Sequence, residues 1–522
     1  MSISKSSHIH KTIIKSVGIV SFATFCSRIL GFVRDIIIAR LFGVYVYAQA
    51  FVIAFKIPNL FRDLVGEGAA NAAFVPVFSE YLQKGKKDEF WQLTNVILNL
   101  LLVVLTGLSL FGVLFAPVIV RIVAPGFMAD PEKLKTTILL TRILFPYILL
   151  ISLSSYAAAM LNSLKHFALP AFTPCLLNIS IIVFALIYGE SIKGLSLGVL
   201  IGGILQLAVQ IPLLYKKGFR LEGFLRNFKH PAAKVIAKLM APRLFSSCIY
   251  QLNNFVDSFF GSMALIVGEG AVAGLYFAYR LIQFPIGIFS NALSQVILPT
   301  FSTQALEDTT ENIKRTLSFG LRANFFVMLP ASVIFMVLSG TLISTLFGGG
   351  RFDAYSVSMT SKVLFFYSIG LSAYGSTKII QSCFFALKDT ITPAKISFVA
   401  LVVNIVLNIM LMFPMKVAGL ALATSISGIN TFIILFILLR KKLGGFNVRE
   451  IWFSFWRILA ASLLMGGVCF YLSQRIYFGN SALNKFLNLI ILLSAAFVSY
   501  LFFCYILRVK EIRQLWQWIK KK

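Results

Sequence analysis

The sequence predicts an all-α polytopic membrane protein. About 14 transmembrane helices are expected: two parallel six-helix repeats forming lobes around a central cavity, and two extra helices at the carboxyl end. Three observations carry this expectation. The 522 residues are 58% apolar and only 13% charged, against roughly 45–50% and about 25% in soluble domains. The mean hydropathy of +0.86 and the 51 phenylalanines describe a chain dissolved in lipid, unable to cover several soluble domains with charge. The third observation is an internal repeat at an offset of about 223 residues.

A span needs about 20 mostly apolar residues. Breaks at Gly, Pro and charge clusters place spans near 16–42, 47–81, 90–121, 134–163, 168–188, 194–215, 235–266, 271–303, 312–347, 354–386, 394–413, 417–439, 450–474 and 484–508. Runs longer than 30 residues imply tilts or kinks, and Pro58, Pro76, Pro146, Pro285 and Pro330 are the candidate kink points. Alternate connections carry the basic residues: Lys84, Lys86 and Lys87, then Lys165, then Lys216 to Lys234, then Lys388, then Arg440, Lys441 and Lys442. The connections between them, such as Gly43–Tyr47, Gly189–Lys193 and Gly268–Gly270, carry few or none. The lysine-rich side is therefore expected in the cytoplasm with both termini, which requires an even number of spans. The expected organisation is a cytoplasmic tail (1–15), a first lobe (16–217), a basic linker (218–234), a second lobe (235–442), two further spans (443–508) and a basic cytoplasmic tail (509–522).

The repeat is read from five matches in order. Phe32-Val33-Arg34 falls on Phe255-Val256-Asp257, and Ala54-Phe55-Lys56-Ile57 on Ala278-Tyr279-Arg280-Leu281. Pro76, Phe78 and Ser79 fall on Pro299, Phe301 and Ser302. Leu164-Lys165 with Pro170-Ala171 falls on Leu387-Lys388 with Pro393-Ala394, and Gly194-Leu195 on Gly419-Leu420. Six spans per copy is even, so the copies share an orientation, an arrangement suited to alternating access.

The net charge of +29 would suggest nucleic acid in a soluble protein. Here no zinc-finger spacing or RNA-binding signature accompanies it, and nucleic acid is not an expected partner. Most of the charge is accounted for by loops facing anionic lipid. The six cysteines stand singly in apolar runs and read as core residues, and the four histidines form no ligand-like pair. No cleavable signal peptide is visible, because the first apolar stretch runs on past Arg28.

The remaining charges lie inside spans. Arg28, Arg34 and Asp35 are in span 1, Lys56, Arg62, Asp63 and Glu67 in span 2, and Arg280 in span 8. An arginine near a helix centre costs roughly 2.5–3.5 kcal/mol on insertion scales, so these need a wet cavity, acidic partners or both. Arg28 and Asp35 are seven apart and share a helix face, as do Ser27 and Arg34. Glu67 stands between Gly66 and Gly68, a place where the helix can open. Converging guanidinium groups from Arg28, Arg34, Arg62 and Arg280 suit the oxygens of a diphosphate. The alternative is that they only pair with the neighbouring acids or snorkel to an interface. A second constellation comprises Asp257, Asn404 and Asn408 at i,i+4, and Thr424 beside Gly419 and Leu420. An acid, two amide oxygens, a hydroxyl and a freed carbonyl make a hard oxygen set for Na⁺. Asp257 as a proton carrier, and simple interhelical hydrogen bonding, stay open beside it.

The segment Ser27-Arg28-Ile29-Leu30-Gly31-Phe32-Val33-Arg34-Asp35 resembles the first helix of the MurJ (MviN) family of lipid II flippases. So do Pro58-Asn59-Leu60-Phe61-Arg62 through Glu67-Gly68-Ala69, Ala73-Phe74-Val75-Pro76, Ala124-Pro125-Gly126-Phe127, Phe145-Pro146-Tyr147, Arg280-Leu281 with Phe284-Pro285, and Leu346-Phe347 with Gly350 and Phe352. The resemblance spans about residues 16 to 440. It implies a member of the multidrug/oligosaccharidyl-lipid/polysaccharide exporter superfamily in the bacterial inner membrane. Such a protein would flip undecaprenyl-diphosphate-linked disaccharide-pentapeptide (lipid II) outward for peptidoglycan synthesis. Membrane lipid and other cell-wall synthesis proteins are the further partners it implies.

By the same resemblance, Arg28, Arg34 and Arg280 are essential cavity cations, supported by Ser27, Asp35, Arg62 and Glu67. It also implies Na⁺ as coupling ion at Asp257, Asn404, Asn408, Leu420 and Thr424, with no other cofactor. Two positions depart from it: Tyr279 stands where many members carry an acid, and Asn408 where some do. Three rivals accompany this reading. A flippase for another polyprenyl-diphosphate-linked glycan differs only in head group. A multidrug/cation antiporter would want acids where this chain has arginines. A membrane enzyme would need a carboxylate or histidine pair near the interface, and no such motif is apparent.

Overall fold

The structure, a computed structural model, describes residues 2–61, 71–225, 227–307, 310–446, 448–476, 479 and 481–512. Side chains are described throughout these except at 2–17, 60–61, 71–73, 241–251 and 253–254. Among the described residues the chain is helical, with a lone bridge between Gly349 and Phe352 and no strand. It divides into two compact units, Met1–Ser262 and Met263–Lys522.

The first unit contains α1 (Ser2–Phe42), α2 (Val46–Phe61), α3 (Asn71–Gln83), α4 (Lys87–Val123), α5 (Pro131–Leu144), α6 (Tyr147–Ser163), α7 (Ala168–Tyr188), α8 (Ile192–Ala208), α9 (Ile211–Lys216) and α10 (Pro231–Gly261). Helix α10, which carries Asp257, packs on α3 and α4 within this unit. The second contains α11 (Ala264–Val267), α12 (Ala271–Pro285), α13 (Asn291–Gln304), α14 (Glu311–Val337), α15 (Ser339–Leu346), α16 (Ala354–Ile369), α17 (Leu371–Ala386), α18 (Ile391–Met415), α19 (Val417–Lys442), α20 (Val448–Arg475) and α21 (Ala482–Ile506).

The count of 14 spans is not confirmed. Among the described residues ten helices, some joined end to end, are long and apolar enough to cross a membrane, and α16 with α17, bent by 44°, makes up to 11. The other expected spans fall on α1, on α2 with α3, and on α10. Each has a local reason to fail a hydropathy test. Helix α1 carries Arg28, Arg34, Asp35 and Arg40, α2 and α3 flank 62–70, which lie outside the described residues, and α10 carries Lys234, Lys238, Arg243 and Asp257.

The repeat is visible element by element. The starts of α2, α4, α5, α6, α7 and α8 precede those of α12, α14, α16, α17, α18 and α19 by 223 to 225 residues. Local details repeat too. Asp130 caps α5 by accepting from the Lys133 amide at 3.1 Å, and Asp353 caps α16 by accepting from the Ser356 amide at 2.9 Å. Lys165 and Lys388, just past α6 and α17, adopt left-handed backbone with φ of 62° and 58°, a conformation glycine usually takes at such helix ends.

Proline acts unevenly. Pro146 separates α5 from α6, and Pro285 ends α12 ahead of a π turn at Ile286–Ser290. Pro58, Pro76 and Pro330 lie within α2, α3 and α14. Helices α7 and α8 approach closely because Gly198 and Gly202 present no side chain. A Cβ there would sit 2.8 Å from the Ile181 Cα and from the Leu177 Cδ1, respectively.

Polar groups inside the bundle are spent on interhelical bonds. Tyr156 donates to the Thr94 carbonyl at 2.8 Å, and Asn324 links Ser290 to Ser376 at 2.7 and 3.0 Å. Asn95 and Asn99, one turn apart on α4, grip the segment after α9. Asn95 donates to the Arg220 carbonyl and accepts from the Glu222 amide. Asn99 donates to the Gly223 and Asn227 carbonyls and accepts from the Leu225 amide.

Candidate functional site

Helix α1 brings its arginines into two different environments. Arg34 and Asp35 are buried, at 4% and 1% exposure, whereas Arg28 is exposed and makes no polar side-chain contact among the described residues. Arg34 Nε and Nη2 donate to Asp35 Oδ1 at 3.0 and 2.7 Å, and Nη1 donates to Asn178 Oδ1 at 3.0 Å. The Phe55 ring of α2 lies 5.9 Å from the guanidinium carbon.

Asn178, on α7, also donates to the backbone carbonyl of Ser27 at 3.1 Å. Ser27 and Arg34, seven residues apart on one face, thus meet the same amide. Charge-assisted bonds on both edges fix the plane of the Arg34 guanidinium. Asp35 is engaged by its immediate neighbour Arg34, and Asn178 is the organiser that the sequence reading missed. Its only signal was an amide in an otherwise apolar span.

Helix α2 contributes Lys56, whose Nζ donates to Ser258 Oγ at 2.6 Å and lies 5.7 Å from the Phe255 ring centre. Asp257, half-buried on α10, acts electrostatically on the same lysine. The acid that looked isolated along its own helix is therefore near a cation from α2. Arg62, Asp63 and Glu67 lie outside the described residues.

In the second unit, Arg280 is half-buried on α12. Its Nε and Nη2 donate to the Tyr276 hydroxyl at 3.2 and 3.0 Å, and its guanidinium carbon lies 5.1 Å from that ring's centre. Tyr279 packs against Tyr367, their ring centres 5.7 Å apart.

The amide pair of α18 forms a directed chain. Asn408 Nδ2 donates to Asn404 Oδ1 at 3.0 Å, Asn404 Nδ2 to Thr424 Oγ1 at 3.2 Å, and Thr424 Oγ1 to the Leu420 carbonyl at 3.1 Å. Both asparagines are fully buried, and Asn408 Oδ1 has no hydrogen-bond partner among the described residues. A buried, unsatisfied amide oxygen beside a second amide, a hydroxyl and a carbonyl fits the oxygen-only chemistry of Na⁺. Asp257 belongs to the other unit. Among the described residues no group of three His, Cys, Asp or Glu assembles for a softer metal.

A further charged cluster was not anticipated. Arg322, 8% exposed on α14, pairs with Glu450 of α20 at 3.2 Å and with Glu511, beyond α21, at 3.4 Å. Lys510 pairs with Glu450 at 3.2 Å, and Ser454 donates to Glu511 at 2.9 Å. Two cations and two acids cancel, which fastens α20 and the end of α21 to α14.

Outside the spans, Asp389 accepts from Lys442 and from the Thr392 amide and hydroxyl. The Lys442 ammonium, more than any other group, holds its carboxyl down at about 2. Burial lowers His166 and His230 from the usual imidazole value. Lys217 lowers His166 further, and Glu89 partly opposes the fall at His230.

The family model described as "Lipid II flippase MurJ" matches residues 38–490. The chain belongs to the MurJ lipid II flippase family. It is 35% identical over 521 residues to a probable lipid II flippase MurJ of Buchnera aphidicola subsp. Schizaphis graminum, covering 98% of this chain and 100% of the relative. It is 34% identical over 457 residues to lipid II flippase MurJ of Burkholderia cenocepacia, covering 86% and 88%.

Among solved structures it is similar to a lipid II flippase MurJ in an inward closed conformation, with a TM-score of 0.79, 28% identity, and coverage of 94% and 99%. An inward-facing multidrug MATE transporter of the MOP superfamily matches at a TM-score of 0.68 with 15% identity, covering 80% of this chain and 94% of that one. That likeness is one of fold. Membership of the MurJ family makes the chain a multi-pass membrane protein of a transporter family rather than of a catalytic one.

Proposed function

We propose that this protein translocates lipid II from the inner to the outer leaflet of the bacterial cytoplasmic membrane by alternating access, with both termini in the cytoplasm. The family match over residues 38–490 carries this reading. The geometry of α1 supports it. Arg34 is oriented through Asp35 and Asn178 before any ligand arrives, so little ordering cost remains when a diphosphate binds. Arg28, exposed on the same helix, and Arg280, oriented by Tyr276, are the further cations for the diphosphate oxygens, with Arg62, Glu67 and Ser27 in supporting roles. The substrate leaves chemically unchanged, with no covalent turnover.

Na⁺ is proposed as the coupling ion, held by Asn404, Asn408, Thr424 and the Leu420 carbonyl, with Asp257 as a further acid. Its role would be to bias the conformational equilibrium through its differential affinity for the two states. The test uses purified protein in vesicles with labelled lipid II. Leaflet exchange is expected without loss of mass from the lipid, lost in Arg34→Ala and in Arg280→Ala, and driven faster by an imposed Na⁺ gradient. Near-normal exchange in both arginine variants, or a cleaved lipid, would overturn the reading. Indifference to Na⁺ in both the parent and Asn408→Leu would overturn the ion assignment alone.

A further inference from the structure

A cavity of about 860 Å³ lies in the second unit, walled by α15, α16 and the start of α21. None of the arginines or asparagines of the proposed transport site lines it. Its wall is largely apolar, with Phe352, Phe365 and Phe366, and into it project two lysines, Lys362 of α16 and Lys485 of α21. Neither lysine makes a hydrogen bond or ion pair through its ammonium among the described residues, and each is at least partly exposed.

Lys362 follows the first residue of its helix, Ala354, by eight positions, about 12 Å of rise. An ammonium beside a largely apolar wall is costly unless water or an anion meets it. The one acid on the cavity wall, Asp353, is turned to the helix end, where its Oδ1 accepts from both the Ser356 amide and hydroxyl. With two lysines against one carboxylate, the residues lining the cavity carry net positive charge.

Apolar surface adjoins the mouth: Phe365, one turn beyond Lys362 on α16, both lines the cavity and is exposed. A ligand matching this wall has an anionic head and an apolar body that stays in the bilayer. We propose that the cavity binds the phosphate head group of an anionic glycerophospholipid. Lys362 and Lys485 would serve as point charges on the phosphate, while the acyl chains lie along the exposed apolar surface of α16 beside Phe365. The volume lies within the range of built small-molecule sites.

The experiment uses the full chain in nanodiscs of phosphatidylcholine containing trace phosphatidylglycerol, with co-purified lipid counted by mass spectrometry. Phosphatidylglycerol is expected to be enriched on the protein over its share in the disc. The double variant Lys362→Gln/Lys485→Gln should lose that enrichment by about tenfold, and Lys362→Arg/Lys485→Arg should keep it. Gly340→Leu places its side chain where an added Cβ meets open space. It should block the cavity without altering charge, so it gives the same loss even if the glutamine pair does not fold.

Enrichment unchanged in both the glutamine pair and Gly340→Leu overturns the proposal. Displacement of phosphatidylglycerol by inorganic phosphate would also overturn it, by making the site one for free anions. Displacement by polyprenyl diphosphate in preference would assign the cavity to the transported lipid instead. Transport is not read in any arm, so failure here leaves the proposed flippase activity untouched.

Discussion

Among the described residues two arginines are buried, one in each unit, and their surroundings differ in kind. Arg322 is held by acids from outside its own helix, in a quartet whose charges cancel and whose members fasten α14, α20 and the end of α21 together. Arg34 has its acid next to it in sequence, and among the described residues it reaches across to the neutral Asn178. Removing the first arrangement disconnects helices. Removing the second changes the direction of one guanidinium. Burial alone therefore does not mark an arginine for binding; under the proposed function, the origin of its partners separates a fastening from a cation held for the diphosphate.

The comparison breaks most sharply in paired neutralisations. Arg34→Ala/Asp35→Asn removes both charges of the buried α1 pair, so it should fold while lipid II exchange in vesicles falls by about a hundredfold or more. Arg322→Met/Glu511→Gln should exchange at nearly the parent rate. Equal losses in the two pairs would erase the distinction. Next in size is Arg322→Ala alone, which strands the buried Glu511 carboxylate and should cost about 3 kcal/mol in unfolding measurements in detergent. Adding Glu511→Gln should recover most of that loss.

A smaller effect is expected at Tyr276→Phe. It deletes the hydroxyl that Arg280 donates to and should slow exchange about three- to tenfold without altering stability. The smallest concerns the half-buried Asp389 and its exposed partner Lys442. The Asp389 pKa is depressed in the folded state, to about 2. Its contribution is therefore complete above the unfolded carboxylate value, near 4, and is lost as pH falls through about 2. Asp389→Asn should lower stability slightly at pH 7 and should flatten the stability profile between pH 4 and 2.

What the sequence disclosed follows from the range of each interaction. The duplication was legible because a constant offset needs no tertiary knowledge, and Ser27 and Arg34 were placed together because helical geometry relates residues seven apart. Asn178 was not, since 144 residues separate it from Arg34, nor was the contact of Lys56 with Ser258 across 202. The Arg322 quartet stayed hidden because one of its acids is 128 residues away and the other beyond the last span. The count of 14 spans stays unconfirmed for another reason: α1 and α10 carry charge, and hydropathy reads each helix as if it stood alone.

Lys165 and Lys388 bring one last consequence. A non-glycine residue in left-handed backbone costs on the order of 1 kcal/mol, yet both copies keep a lysine there at the end of corresponding helices. Glycine would relieve the backbone and erase a charge from the lysine-rich side. Under the proposed topology, each half then carries a positive charge at the same structural joint on the cytoplasmic side. The two halves made as separate chains should then enter the membrane the same way round.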